Sequence, residues 1–209
     1  MVLRMRTALI AAASVFALVA SFATSANASV LSLLPGSCGS QAESQVFASW
    51  GDSSQYTPVP GGSFETGGLP WVLTGGAAKA AGNESFNVAG PGSTSLALPK
   101  GSSAESPFSC TSIYHPTMRF FVRNTGARTS HLIVQAVYPG LLFGVTTTTL
   151  GQITGSSTWA PSPAMSLLTS NLLATLSLNS TVIAFRFLPA DSTGAWSIDD
   201  VYLDPYHRS

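Results

Sequence analysis

Beyond its first thirty residues the chain is built from short runs in which apolar and polar residues alternate, bounded by glycine, proline and serine, and helical periodicity is nearly absent. Alternation with a period of two puts successive side chains on opposite faces of a strand. Many such runs, separated by turn residues, predict an all-β sandwich or barrel. Strands are predicted at Pro70–Leu73, Ser85–Val88, Ser95–Leu98, Thr117–Arg123, His131–Tyr138, Gly144–Thr149, Thr181–Leu188 and Trp196–Leu203. Turns fall between them at Gly61-Gly62, Gly67-Gly68, Gly75-Gly76, Gly90-Pro91-Gly92, Asn124-Thr125-Gly126 and Pro139-Gly140, where glycine and proline supply backbone geometry that other residues resist. Residues 161–176 fit either a short helix or an irregular crossover.

Three patterns divide clearly into faces. Met118, Phe120 and Val122 oppose Arg119, Phe121 and Arg123; Leu132, Val134 and Ala136 oppose His131 and Gln135; Ile183, Phe185 and Phe187 oppose Val182, Ala184 and Arg186. As neighbours in one sheet, these strands turn an aliphatic and aromatic face to the core. Arg119, Phe121, Arg123, Gln135 and Arg186 then share the outer face, a candidate ligand surface. Any solvated antiparallel sheet also presents such a face, because long arginine stems cover apolar surface with or without a ligand. Trp71 and Trp196 lie in the apolar phase and read as core residues. Trp50, Trp159, Phe121, Tyr114 and Tyr138 remain as possible stacking platforms.

The last strand changes phase part-way along. Trp196 and Ile198 are apolar in one phase, Val201 and Leu203 in the other. A strand that stays half-buried throughout must absorb one extra residue at Asp199-Asp200, the pattern of a β-bulge. Two carboxylates at a kink that also frees carbonyl oxygens suit a hard cation such as Ca²⁺, which takes six to eight oxygen ligands. The plainer reading of this segment alone is a pair of solvated aspartates at a strand end.

Composition narrows the class. Charged residues make up 9% of the 209, against about 25% in an ordinary soluble domain. The formal net charge is +0 and there is no basic run, which excludes the electrostatic footprint of a nucleic-acid binder. A hydrophobic content of 45% is far above that of disordered chains. At the N-terminus, Arg4 and Arg6 precede an apolar stretch from Thr7 to Phe22 and the small-x-small tripeptide Ala26-Asn27-Ala28, the layout of a cleavable secretory signal helix over residues 1–28. That stretch, about sixteen residues, is short for a bilayer span, which takes about twenty. No later stretch reaches that length, so no membrane span is expected after cleavage.

The remaining residues suit one domain, divided into an N-terminal extension at 29–60 and a sandwich at 61–209. In an oxidising, extracellular compartment the two cysteines, Cys38 and Cys110, pair most simply as a disulfide. The loop it closes is worth about 4 kcal/mol in the chain-entropy model. Lipidation of Cys38 is the rival reading, but Pro35-Gly36-Ser37 lacks the usual apolar residue before a lipidated cysteine.

Two segments together carry a family resemblance. Gly61-Gly62-Ser63-Phe64-Glu65-Thr66-Gly67-Gly68-Leu69-Pro70-Trp71-Val72-Leu73 and Gly194-Ala195-Trp196-Ser197-Ile198-Asp199-Asp200-Val201-Tyr202-Leu203 resemble the opening and closing motifs of jelly-roll carbohydrate-binding modules of families four, nine and twenty-two, a galactose-binding-domain-like sandwich. The resemblance runs from about Gly61 to Pro205. It implies a jelly-roll β-sandwich of two antiparallel sheets whose first and last strands lie side by side and hold a structural calcium. By the same resemblance Glu65 contributes its carboxylate, Ser63 its carbonyl and Asp199 or Asp200 a carboxylate, with a further carbonyl near Gly82-Asn83. The extension at 29–60 and the segment Lys100–His115 depart from the family pattern, and the motifs do not specify sugar-binding aromatics.

Enzyme signatures are missing. There is no Gly-x-Ser-x-Gly elbow, phosphate loop, His-Glu-x-x-His or cysteine–histidine cluster, and His115, His131 and His207 are scattered singly. The reading is a secreted, extracellular protein of bacterial type: a non-catalytic, calcium-stabilised module that binds a polysaccharide or cell-surface glycan on an outer sheet. Arg119, Phe121, Arg123, Gln135, Trp159 and Arg186 are its candidate contacts. Guanidinium groups pair well with carboxylates, which points to an acidic glycan. The alternative is a structural or adhesive surface protein with the same fold and no sugar binding.

Overall fold

The computed structural model describes residues 42–65, 70–111, 115–139, 144–167 and 181–205, all within a compact unit from Pro35 to Ser209. The predicted signal helix, Cys38, Tyr114 and much of the 161–176 segment lie outside the described residues. Thirteen strands occur among the described residues: β1 (Thr57–Pro58), β2 (Val72–Thr74), β3 (Ala78–Ala81), β4 (Thr94–Leu98), β5 (Ser103–Glu105), β6 (Ser109–Thr111), β7 (Thr117–Asn124), β8 (Leu132–Pro139), β9 (Val145–Ile153), β10 (Ala160–Pro161), β11 (Met165–Ser166), β12 (Thr181–Pro189) and β13 (Trp196–Asp204). No helix among the described residues is long and apolar enough to cross a membrane.

The strands form two antiparallel sheets. One runs β10-β7-β13-β4-β3, with β1 beside β13 and β11 beside β7; the other runs β2-β5-β12-β8-β9, with β6 beside β12. The apolar phases meet between them. Leu96 and Leu98, Met118 and Phe120, and Trp196, Ile198, Val201 and Leu203 from the first sheet pack with Leu132, Val134, Ala136, Ile183, Phe185 and Phe187 from the second. This two-layer packing is a β-sandwich. Trp71 and Trp196 are both buried in it, as their phase predicts. Cys110 lies on β6 and is not a free thiol.

Two expectations about the strands fail. Ser85–Val88 is a turn-rich loop rather than a strand, because the Glu84 carboxylate accepts hydrogen bonds from the Phe86 and Val88 amides (Val88 N to Oε1 at 2.9 Å) and curls the chain back on itself. The three best-patterned strands also do not share one sheet: β8 and β12 are neighbours in the second, but β7 belongs to the first. Alternation tells which side chains share a face of one strand, but not which strands share a sheet.

The outer face of the first sheet is not open. Residues 44–59 lie across it as a strap: Ser44 pairs with Tyr56, a 3-10 turn spans Ala48–Trp50, and β1 joins the edge of β13. Phe47, Tyr56, Phe121 and Tyr202 form a second apolar cluster there, with Phe47 stacked on Phe121 at 5.4 Å. Phe121, expected to be an exposed platform, is 0% exposed. Arg119 is also covered. Its guanidinium bonds Asp52 at 2.7 Å and the Ser162 carbonyl at 3.0 Å, and lies 4.4 Å over the Phe47 ring. Burial works against ionisation of Asp52, but hydrogen bonds from Tyr56, Arg119 and Ser54 outweigh it and hold the carboxyl below its usual range.

Because Phe47 is wholly buried between strap and sheet, Phe47→Ala is expected to lower the unfolding free energy by about 3–5 kcal/mol. Chemical denaturation checks this, and an unchanged midpoint would show the strap to be dispensable.

Candidate functional site

Two places concentrate the few charges of this chain, and β13 positions the first. On its β7 side, Asp199 pairs with Phe121 and Tyr202 with Arg119, so two residues on β13 oppose one on β7. Asp200 is the extra residue and takes a left-handed φ of 47°. The predicted bulge is therefore present. On its other side β13 changes partner at the same point: Trp196–Ile198 pair with β4, while Tyr202 and Leu203 pair with β1. The gap is closed by the Gly62 turn, through Val201 N to Gly62 O at 3.2 Å and Val59 N to Val201 O at 2.9 Å. A Cβ on Gly62 would stand 3.0 Å from the Val201 and Val59 carbonyls, which is why glycine sits there.

That turn delivers Glu65. Phe64, at φ 55°, drops into the core against Trp71, and Glu65 projects the other way. Its Oε1 accepts the Ser93 and Thr94 amides, each at 2.8 Å. Gly92 makes room: a Cβ there would come within 2.7 Å of Glu65 Oε1. Burial works against ionisation of Glu65, but the Thr94 and Ser93 amides and Lys79 outweigh it and hold the carboxyl below its usual value. Ser63 is partly buried in the same turn.

The two aspartates are in the opposite condition. Asp199 is 0% exposed and Asp200 3%. Burial pushes Asp199 up to about 8, and the charges of Asp200 and Glu84 add to the shift. Burial likewise pushes Asp200 up to about 7, with Glu84 and Glu65 adding to it. Sequence reasoning missed Glu84, which is 1% exposed and whose amide donates to Asp199 Oδ2 at 2.9 Å. Its signal was present: a scarce acidic residue beside Gly82-Asn83, where the family resemblance already placed a carbonyl ligand.

The donors gathered here are all oxygens, which fits Ca²⁺ and does not fit a soft metal. A buried hydroxyl with no partner, Ser95 Oγ, belongs to β4 one position before Leu96, the residue paired with Ile198. The carboxylates do not form a cage, however. Among the described residues no three His, Cys, Asp or Glu side chains are placed to share one metal ion. Any ion here would draw on one or two carboxylates and otherwise on carbonyl oxygens.

The second place is the open face of the second sheet. Successive pairings set Val72 beside Glu105, Glu105 beside Arg186, Arg186 beside Gln135 and Gln135 beside Thr149. One lateral row thus crosses all five main strands, about 19 Å at the usual strand spacing. Glu105 holds Arg186 through Oε2, with Nε at 2.8 Å and a second guanidinium nitrogen at 2.7 Å. Thr74 and Ser103 share a hydrogen bond at 2.8 Å in the adjoining row. The row from Val72 to Gln135, with Thr74, Ser103, Leu188 and Pro189, lines a shallow groove of about 490 Å³, and Thr149 is not part of that lining.

The predicted ligand contacts therefore divide between the sheets. Gln135 and Arg186 are in the groove. Arg119, Phe121, Arg123 and Trp159 belong to the opposite, strapped face, where the Arg123 guanidinium lies 4.8 Å over the Trp159 ring. Arg119 is paired with Asp52 and Arg186 with Glu105, while Arg123 lies over the Trp159 ring on the strapped face with its Nε unpartnered. The one arginine in the groove is thus neutralised by Glu105, which removes the reason to expect an acidic glycan there. Glu105 was missed because its role is set by pairing across strands distant in sequence.

Carboxyls whose folded-state pKa is raised stabilise the fold at low pH and lose that contribution as pH rises through the folded value. With divalent cations chelated, the thermal midpoint should fall as pH rises from about 4 to about 8, between the ordinary value of 3.8 and the raised values. Asp199→Asn should flatten the profile; a wild-type midpoint constant across that range would contradict the burial-driven shift.

No protein-family model and no curated protein sequence matches the chain. Solved structures do match. The N-terminal CBM22-1–CBM22-2 tandem domain of Paenibacillus barcinonensis Xyn10C superposes with a TM-score of 0.50 at 11% identity, covering 70% of this chain and 44% of that one. The CBM22-1 xylan-binding domain of the same protein gives 0.49 at 11%, covering 70% and 93%. The family 11 carbohydrate-binding module of Lic26A-Cel5E from Clostridium thermocellum gives 0.41 at 12%, covering 81% and 98%. The chain is thus similar in fold to carbohydrate-binding β-sandwich modules.

Proposed function

We propose that this protein is a secreted, non-catalytic jelly-roll module that binds a neutral polysaccharide along the open face of its second sheet. One observation carries the reading: the row Val72–Glu105–Arg186–Gln135–Thr149 runs unbroken across that face. Among the described residues it is the sheet face left uncovered, since the strap occupies the other sheet. An extended sugar chain presents hydroxyls that both donate and accept. Paired Arg186 and Glu105, the Gln135 amide and the Thr74 and Ser103 hydroxyls supply the complementary set. The two charges in the groove cancel, which favours an uncharged ligand. No aromatic side chain lines it among the described residues, so hydrogen bonding rather than ring stacking provides the contact.

Structural Ca²⁺ at the β13 kink belongs to the same proposal. Glu65 with Asp199 or Asp200 would hold it, joined by the Ser63 carbonyl and a carbonyl near Gly82-Asn83. The buried carboxyls of Asp199 and Asp200, which burial holds back from ionising and which no cationic side chain contacts among the described residues, support the assignment, since a bound cation would favour their charged form. A Cys38–Cys110 bridge, suited to an oxidising compartment, completes the reading.

Affinity electrophoresis and calorimetry against neutral xylans and glucans, with acidic polysaccharides alongside, test the ligand. Arg186→Ala and Gln135→Ala are expected to weaken binding by about tenfold or more, and Trp159→Ala, on the other sheet, to leave it unchanged. Failure of every neutral polysaccharide to bind would sink the proposal. For the cation, saturating Ca²⁺ at about 100 times its Kd should stabilise the fold by about 2.7 kcal/mol. A thermal midpoint indifferent to chelator in both wild type and Glu65→Ala would rule it out.

A further inference from the structure

Most sheet edges of this sandwich are blunted against pairing with another chain. β2 and β6 are three residues long, β10 and β11 two each with Pro161 in β10, and β3 carries Lys79. These are the usual protections of an exposed edge. β9 has none of them. It is nine residues long, ends its sheet among the described residues, and contains neither proline nor charge. Its first five residues, Val145–Thr149, are exposed apart from a half-buried Thr148, and Val145 is 57% exposed. The register shift in its pairing with β8 falls at Leu150, so those five residues form a regular ladder whose alternate N–H and C=O groups face outward.

We propose that β9 pairs antiparallel with β9 of a second copy of this chain, joining two open sheets into one. Charge selects this occupant. From Thr129 to Phe185 there is no Lys, Arg, Asp or Glu, so a charged partner strand finds no counter-charge, whereas two copies meet without like-charge repulsion. Self-pairing sets the threonines of 146–149 against their own kind, and threonine pairs are among the favourable cross-strand contacts. Antiparallel pairing of identical strands imposes a two-fold axis normal to the sheet. Both grooves then face the same way. On the reading of the groove as a polysaccharide site, one long chain engages two copies at once and gains avidity.

Sedimentation equilibrium of the mature chain, without glycan, tests the pairing independently of sugar binding. An interface of one strand pair is small, so association is expected in the range of about 10 µM to about 1 mM. The mass should rise from monomer to dimer across that range. Val145→Lys/Thr147→Lys, on the exposed edge, should raise the dimer Kd at least tenfold, and Val145→Lys alone reads the same effect with a smaller disturbance of β9. Val72→Lys on β2, at a position 62% exposed, should leave the Kd unchanged. A wild type that stays monomeric to 1 mM overturns the proposal, as does a dimer weakened equally by all the variants or by none.

Discussion

One surplus residue in β13 organises much of this molecule. The strand is buried along all nine residues and pairs with β7 on one side and with β4 and β1 in turn on the other. Without the bulge, either Trp196 and Ile198 or Val201 and Leu203 would face away from the core, because a shift of one residue reverses every side chain beyond it. The bulge keeps all four inside. Its cost is local: Asp200 adopts a left-handed backbone, and two carboxyls are taken out of water beside a third. The change of lateral partner at the same point opens the space into which the Gly62 turn brings Glu65.

The two faces of the sandwich follow different rules. The first sheet carries Phe121 and Tyr202 on its outer side, too much apolar surface to leave in water, and the strap covers it. The Asp52–Arg119 pair fastens that cover, its side chains only 22% and 10% exposed. Such a pair adds little net stability relative to an apolar substitute, but it fixes the strap's position, since an unpaired charge there would be costly. The second sheet has no comparable aromatic on its outer side among the described residues. Thr74, Ser103, Glu105, Gln135 and Arg186 set polar groups among the apolar Val72, Leu188 and Pro189, a surface that tolerates water and can meet sugar hydroxyls.

Much of the fold was legible along the chain because strand alternation is local. The predicted strands at 95–98, 117–123, 131–138, 144–149, 181–188 and 196–203 all occur, with ends displaced by a few residues. β1, β3, β5, β6, β10 and β11 were missed: each is two to four residues long, too short to display a period. The kink at Asp199-Asp200 was legible for the same local reason, as a phase change within one strand. Ser85–Val88 misled because its alternation is real, while the Glu84 carboxylate captures the amides that a ladder would have used.

What sequence alone determined about this protein is therefore its class, its core residues and the bulge, all consequences of which neighbouring side chains avoid water. Tertiary structure decided which strands share a sheet. That placed Arg119 and Phe121 under a strap and set Arg186 beside Glu105 and Gln135 on an open face. The physical reason is that a strand's faces follow from its own alternation, whereas its neighbours follow from how the whole chain satisfies its backbone hydrogen bonds and closes a common core.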